Sequence, residues 1–422
     1  MNLEKNFVNK NTYTLGSEDS WFDFLGIPTN KGTDGEVTYN ICLKVISETL
    51  GKLPFKFYQK TENGKIQPPN NSAAYCLCQR PNEFYSPTVF WTAIEMNRLH
   101  YGNAYVYIQR ELVPKKAGRK QLVEEKIVGL WLMPSNRVKI KVDTQGFFGG
   151  VGDIYYEYQD EYTNQSYIYP AQDVLHFKTS HTYNGIKGKP MREIIVDTLS
   201  GSLKSQNFMN KLYEDNLTAS GYIESTFDVN DATLAKRASD FASKIKGGEN
   251  IGRIGVLPPG LKFTPINIKP TDAQFFELRK YTSLQIAGCF GVKPTQINDY
   301  DKSSYNSGEQ QNLAYYTDTI LWIVKQYEEE INYKMLSRQE LMDGYYFKMN
   351  YNVILRTDSK TQTENITRLI NSGAYNINEA RDMLDLPHVD GGDINAVNGT
   401  YIPVKDVGKQ YGIGSDKKDE EE

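Results

Sequence analysis

The 422-residue sequence predicts an α+β subunit in which long helices frame a strand-rich region and a small inserted unit. Three patterns carry that prediction. Apolar residues recur at helical spacing over residues 190–216, 271–291 and 308–336, each longer than a typical globular helix. Between residues 103 and 179 the period shortens to two, in runs rich in Tyr, Val and Ile. Residues 217–270 return to short strands around one amphipathic helix, set between two of the long helices.

Residues 1–19 are polar and read as an unstructured lead, with no apolar core segment of a signal peptide. From Gly35 a helical stripe runs through Val37, Ile41, Leu43, Val45 and Leu50. An extended "LPFKFYQ" follows, then a hairpin signal at Glu62-Asn63-Gly64. Ser86 and Pro87 supply the N-cap and first position of the next helix, whose stripe is Phe90, Trp91, Ile94 and Leu99 and whose stop is Gly102. The runs "NAYVYIQRE", "IVGLWLMP", "RVKIKVD", "IYYEYQ", "QSYIYP" and "DVLHFK" are read as strands, and Pro114 to Lys120 as a basic hairpin tip.

A single helix is expected over 190–216, with Ile194, Ile195, Leu199, Leu203, Phe208 and Leu212 along one face. The insertion contains "GYIES", a helix bearing Leu234, Ala238, Phe241 and Ile245, and the strands "GRIGVLP" and "LKFTPINI". Thr271 and Gln274 form a capping box for a helix that closes on Gly291, with Pro294 beyond. Ser307 and Gln310 form a second box and open a helix to about Leu336, with stripe Leu313, Tyr316, Ile320, Val324, Tyr327, Ile331 and Met335. The two signals bracket a polar connection of about sixteen residues, which is long for a compact domain and asks for a role. The strand pair "GYYFKMNYNVILR", a helical unit over 360–386 and a charged tail complete the chain.

Composition narrows the function. The net charge is −4, so no global basic field recruits nucleic acid through phosphate neutralisation. Thirty tyrosines and eighteen phenylalanines point to extensive core or subunit contact. The four cysteines (42, 76, 78 and 289) lack zinc spacing and are read as buried free thiols, and no apolar run reaches membrane-spanning length. "GGENIGRI" (247–254) has phosphate-loop spacing, but Arg253 and Ile254 replace the lysine and the hydroxyl residue. It also precedes a strand, so it reads as a hairpin turn, and "GFFGGVG" (146–152) as a turn likewise. His176 on its strand reads as a locally bonded histidine, and Asp299 and Asp301 as solvated loop carboxylates without a third ligand. No catalytic residue, metal site or cofactor is expected; a structural or interaction protein is.

The ordered segments "RPNEFYSPTVFWTAIEMNRLHYGNAYVYI" (80–108), "PAQDVLHFKT" (170–179), "GIKGKPMREI" (185–194) and "VLPPGLKFTPI" (256–266) carry a family resemblance. So do "DAQFFELRKYTSLQIAGCFGVKPTQI" (272–297), "YNSGEQQNLAYYTDTIL" (305–321) and "NEARDMLDLPHVDGGD" (378–393). Over residues 35–395 the chain resembles the tailed-bacteriophage portal proteins of the HK97 type, the head-to-tail connectors. Lys293 stands where the family often has proline, Gly188-Lys189-Pro190 lacks a serine, and "TILWIVKQYEEEI" lacks a helix proline.

The resemblance implies a portal fold: a mixed α/β wing, a long-helix stem, a small α/β clip and a helical crown, assembled as a ring. By position the wing is 20–189 and 308–356, the stem 190–216 and 271–291, and the clip 217–270. The tunnel loop is 292–307, the crown 357–395 and the tail 396–422. It further implies a dodecamer at one capsid vertex, a conduit for double-stranded DNA in packaging and ejection. Implied partners are further copies of the chain, the terminase large subunit, a head-completion or adaptor protein, and the major capsid and scaffolding proteins, with no membrane. The protein would be made in the host cytoplasm and reside in the virion. Channel contacts fall on Asn298, Tyr300, Lys302, Ser303, Ser304, Tyr305 and Asn306, and clip contacts on Leu234, Arg237, Phe241 and Lys244.

Charge is compatible with a sliding conduit. In the first stem segment Arg192, Lys204 and Lys211 face Glu193, Asp197, Glu214 and Asp215; in the second, Arg279 and Lys280 balance Asp272 and Glu277. Near-neutral walls avoid a steep, salt-dependent grip on phosphate, although balanced surfaces of any protein look the same. Two other classes remain open at this point: a nucleic-acid-processing enzyme of the packaging machine, and another ring-forming tail or capsid component.

Overall fold

A computed structural model describes residues 36–61, 64–117, 120–146, 149–160, 165–214, 221–225, 236, 239–240, 261–265, 272–300, 305–351, 359–383 and 387–394. The chain divides into two units, Met1–Met349 and Asn350–Glu422.

In the first unit, helix α1 (Val37–Gly51) begins where the Glu36 carboxylate accepts the Tyr39 amide at 2.6 Å. It buries Tyr39, Cys42, Leu43, Ile46 and Leu50, one stripe at helical spacing. Strands β1 (Phe55–Thr61) and β2 (Gly64–Ile66) pair antiparallel, and a short helix α2 (Ser72–Cys78) follows. Helix α3 (Pro87–Tyr101) packs on α1. It starts after Ser86 with Pro87 in its first turn and stops at Gly102, whose φ of 78° suits glycine. A Cβ at Gly102 would also lie 2.6 Å from the Gly188 carbonyl.

Strands β3 (Asn103–Ala117) and β4 (Lys120–Met133) form one long antiparallel hairpin with a bulge at Gln109/Arg110. The expected basic loop from Pro114 to Lys120 is therefore mostly paired strand. Backbone pairing is satisfied by the partner strand whatever the side-chain charge, and Pro114 opposite Val123 is accommodated within it. After β5 (Val138–Val142), β6 (Ile154–Gln159) and β7 (Ser166–Pro170), strand β8 (Val174–Lys178) returns to β3. The sheets are β4-β3-β8 and β5-β6-β7.

The expected single helix over 190–216 is divided into α4 (Met191–Ile194) and α5 (Val196–Glu214). Ile195 breaks it, with φ −111° and ψ 20°, yet stays buried and accepts the Leu199 amide. Apolar spacing is continuous across that break, so pattern alone joins the two pieces. Strands β9 (Gly221–Ser225) and β10 (Leu261–Pro265) pair antiparallel, Gly221 opposite Pro265. Leu234, Arg237, Phe241, Lys244 and the 247–254 turn lie outside the described residues.

Helix α6 (Asp272–Phe290) packs on α5 and α1. A long helix follows: α7 (Tyr305–Tyr315), a π turn (Tyr316–Ile320) and α8 (Leu321–Met335). Helix α9 (Arg338–Met342) then leads to β11 (Tyr345–Met349), which completes the sheet β11-β1-β2. The core lies where α3, β8 and α8 meet. Phe177 and Tyr327 stack with ring centres 3.9 Å apart, and Trp91 lies edge-on to both. Such aromatic pairs contribute about 1 kcal/mol each beyond the area they bury.

In the second unit, α10 (Ser359–Asn371) and α11 (Ile377–Met383) pack together. Asn378, 2% exposed, ties α11 to the following turn. Its side chain donates to the Val389 carbonyl and to Asp393 and accepts the Val389 amide.

Candidate functional site

The connection from α6 to the long helix is built step by step from local geometry. Gly291, at φ 73°, ends α6; its amide donates to Gly288 and the Val292 amide donates to Ala287. These are the paired bonds of a left-handed C-cap, and they satisfy carbonyls that the helix end would otherwise leave open. Val292 is buried beneath the turn. The Gln296 side chain then accepts the Lys293 amide at 3.3 Å, and Pro294–Ile297 forms a 3₁₀ turn. Asn298 closes it at φ 62°, the only positive φ among the described non-glycine residues. The Asp299 amide donates to the Pro294 carbonyl at 3.0 Å.

Three tertiary contacts fasten this turn. Lys280 of α6 pairs with Asp299 at 3.1 Å, and Lys293 pairs with Asp318 of the π turn at 3.2 Å. The Thr319 hydroxyl donates to the Gly291 carbonyl at 2.9 Å. Lys293 thus has a definite place: it joins the turn after α6 to the long helix, where a proline could not. Asp299 is an ion-pair partner rather than a solvated loop carboxylate, because α6 presents Lys280 beside it; Asp301 lies outside the described residues.

The sixteen-residue free loop is therefore corrected. Its first half is an ordered turn, and α7 begins at Tyr305, before the capping box expected at Ser307 and Gln310. Those residues sit within the helix. Of the predicted channel residues, Asn298 is a turn cap and Tyr300 is 60% exposed beyond it. Tyr305 and Asn306 open α7, while Lys302, Ser303 and Ser304 lie outside the described residues.

The stripe expected on the long helix holds from Ile320 onward, with Ile323, Val324, Tyr327, Ile331 and Met335 buried. Before the π turn it is displaced: Leu313 is exposed and Tyr315, not Tyr316, is fully buried. An inserted residue in the turn shifts the face, which the Leu321 amide donating to the Tyr316 carbonyl records. Asp318 and Thr319 are the contact residues that the sequence reading missed. A five-residue step between core positions 315 and 320 was their only signal.

Beside the π turn lies a cavity of about 380 Å³, lined among others by Arg98, Cys289, Gly291, Thr319 and Trp322. Arg98 is buried against Glu95, donating through Nε at 2.8 Å, and Tyr327 donates to the same carboxylate at 2.9 Å. Burial first, and the Glu95 charge second, hold the Tyr327 phenol well above its ordinary range. Cys42 and Cys76 are buried, Cys78 is half-buried, and Cys289 is exposed, which corrects the expectation that all four are buried.

His176 is a satisfied strand histidine. Its Nδ1 meets the Tyr156 hydroxyl at 3.1 Å and its Nε2 meets Asn103 Oδ1 at 3.0 Å. Burial, then Lys178 and Lys334, push its imidazole down to about 3. No group of three or more metal-ligating side chains occurs among the described residues, and none of the described helices is long and apolar enough to cross a membrane. Gly146 and Gly152 both have positive φ, as a turn at 146–152 requires.

Comparison with known proteins places this geometry. The chain is 24% identical to the portal protein of Enterobacteria phage HK97 over 374 residues, covering 87% of this chain and 82% of that one. A crystal structure of an HK97 family phage portal protein from Corynebacterium diphtheriae superimposes with a TM-score of 0.54 at 13% identity, covering 77% of this chain and 96% of that one. A chain in the neck of a native gene transfer agent particle, computed with C12 symmetry, superimposes with a TM-score of 0.52 at 18% identity, covering 86% and 93%. The sequence model described as "Phage portal protein" matches residues 38–385, and the chain belongs to that family.

Proposed function

We propose that this chain is the portal subunit of a tailed-phage-like particle: a ring at one capsid vertex through which double-stranded DNA is packaged and ejected. The observation that carries the reading is the family match over 38–385, which takes in α5, α6, the long helix and the turn between them. The C12 symmetry of the similar neck structure supports a ring of twelve copies. In that ring α5 and α6 form the channel wall. At 1.5 Å per residue each is roughly 30 Å long, enough for a tube wall. Asp197, Lys204, Lys211 and Glu214 balance along α5, as do Asp272, Glu277, Arg279 and Lys280 along α6, so the wall does not grip phosphate.

Residues 298–306 face the passing DNA at the channel's narrowest part, with Tyr300 the exposed residue at the edge of the ordered turn. The clip, through Leu234, Arg237, Phe241 and Lys244, docks the terminase large subunit and later a head-completion or adaptor protein; the wing meets capsid and scaffolding proteins. The subunit is assembled in the host cytoplasm and catalyses nothing, and a separate ATPase drives packaging.

The test replaces residues 300–304 with five alternating glycines and serines, which spares the Lys280–Asp299 pair. Rings are expected to assemble normally while packaged DNA falls sharply. Loss of ring assembly would make the segment a subunit contact instead. ATP hydrolysis or DNA cleavage by the purified wild-type chain would overturn the non-catalytic reading.

A further inference from the structure

The π turn asks for a reason. Residues 305–335 are helical on both sides of it, with Tyr315 at φ −62°, ψ −43° and Leu321 at φ −60°, ψ −37°. Neither glycine nor proline occurs in "YTDTI", so the extra residue is not forced by backbone chemistry. It is supported instead by side chains. The Thr317 hydroxyl reaches back to the Leu313 carbonyl at 3.2 Å and the Ala314 carbonyl at 3.3 Å, within the turn whose ladder the insertion disturbs. Asp318 and Thr319, the next two residues, make the contacts to Lys293 and Gly291.

One inserted residue rotates the helix before it by about 100° relative to the helix after it. In the observed register Tyr315 is buried, while Gly308 and Gln311 are half-buried. In an uninterrupted α-helix with α8 held in place, Tyr316 would take the buried place of Tyr315.

We propose that the π turn is a positioning clamp: it sets the register of α7 and, through Thr319 and Asp318, fixes the end of α6 and the 291–299 turn against the long helix. Thr319 and Asp318 are positioning residues, and their consequence for DNA passage rests on the channel reading above.

Amide hydrogen exchange on the purified full chain tests the clamp without reference to DNA. In a Thr319→Val/Asp318→Asn variant the amides of Val292, Asn298 and Asp299 should exchange about tenfold faster, the effect of losing one hydrogen bond and one charge contact. Exchange along α8 and the β3–β4 hairpin should not change, and Thr319→Ser alone should keep the wild-type rates. Unchanged rates at 292–299, or a rise spread evenly over the unit, would overturn the proposal. DNA packaging by the same variant is the second arm. If exchange rises as expected while packaging is unaffected, the clamp stands and the channel-facing assignment of 298–306 falls.

Discussion

Replacing Gly291 by alanine tests the end of α6 where it meets Thr319. Gly291 has φ 73°, where an L-residue with a Cβ costs about 1–2 kcal/mol. Alanine returns roughly 0.5 kcal/mol by restricting the unfolded chain. The new methyl would press on Thr319 Oγ1 and lie 3.2 Å from Thr319 Cγ2, so the threonine must rotate and give up its bond to the Gly291 carbonyl. That bond contributes about 1 kcal/mol. The expected destabilisation is therefore about 2 kcal/mol, read as a shift in the urea midpoint at constant slope. Thr319→Ala alone should cost about 1 kcal/mol. Because the same contact is lost in both, the double variant should fall short of the sum by about 1 kcal/mol. A Gly291→Ala cost under about 0.5 kcal/mol, or strict additivity, would refute the steric argument.

Three further outcomes follow from buried groups. His100 and His176 are each held neutral down to about 3, chiefly by burial. His100 faces the Tyr39 hydroxyl and Arg192; His176 faces Tyr156, Asn103, Lys178 and Lys334, and its amide donates to Glu330. With folded values below the unfolded 6.5, stability is present above that pH and declines as pH falls toward 3. By pH 5 the loss is about 2 kcal/mol per histidine, measured by chemical denaturation at each pH, and His176→Asn should remove about half of it. A flat profile from pH 7 to 5 would contradict the burial argument. Arg98→Met leaves the fully buried Glu95 carboxylate without its cation and should cost about 3–5 kcal/mol in the same assay, whereas Glu95→Gln/Arg98→Met should recover most of that. A thiol reagent near pH 8 should modify Cys289 first, because burial pushes the Cys42 thiol up to about 12 and the Cys78 thiol to about 11. Mass mapping that finds Cys42 labelled first would contradict that order.

What was legible in the sequence was whatever local chemistry decides. Ser86-Pro87 and Gly102 bound α3, and Gly291 ends α6, because caps and left-handed turns restrict residue choice. What was not legible depended on distant partners. The π turn carries no glycine or proline, and its supports, Lys293 and Gly291, lie more than twenty residues away. The 3₁₀ turn at Pro294–Ile297 looked like free loop because Lys280, which anchors Asp299, belongs to the preceding helix. The break at Ile195 is silent, since the apolar spacing continues through it. The β3–β4 hairpin extends through a charged stretch because its backbone groups pair with the partner strand whatever the side-chain charge. The portal-like order of segments was legible over most of the chain, whereas the atoms that fix the turn between α6 and the long helix were not.

Electron microscopy of the purified full-length chain tests the central claim most directly. A ring of twelve subunits with an axial channel walled by α5 and α6 is expected. A chain that stays monomeric at every concentration and salt tried, or a ring whose α5 and α6 face outward, would contradict it.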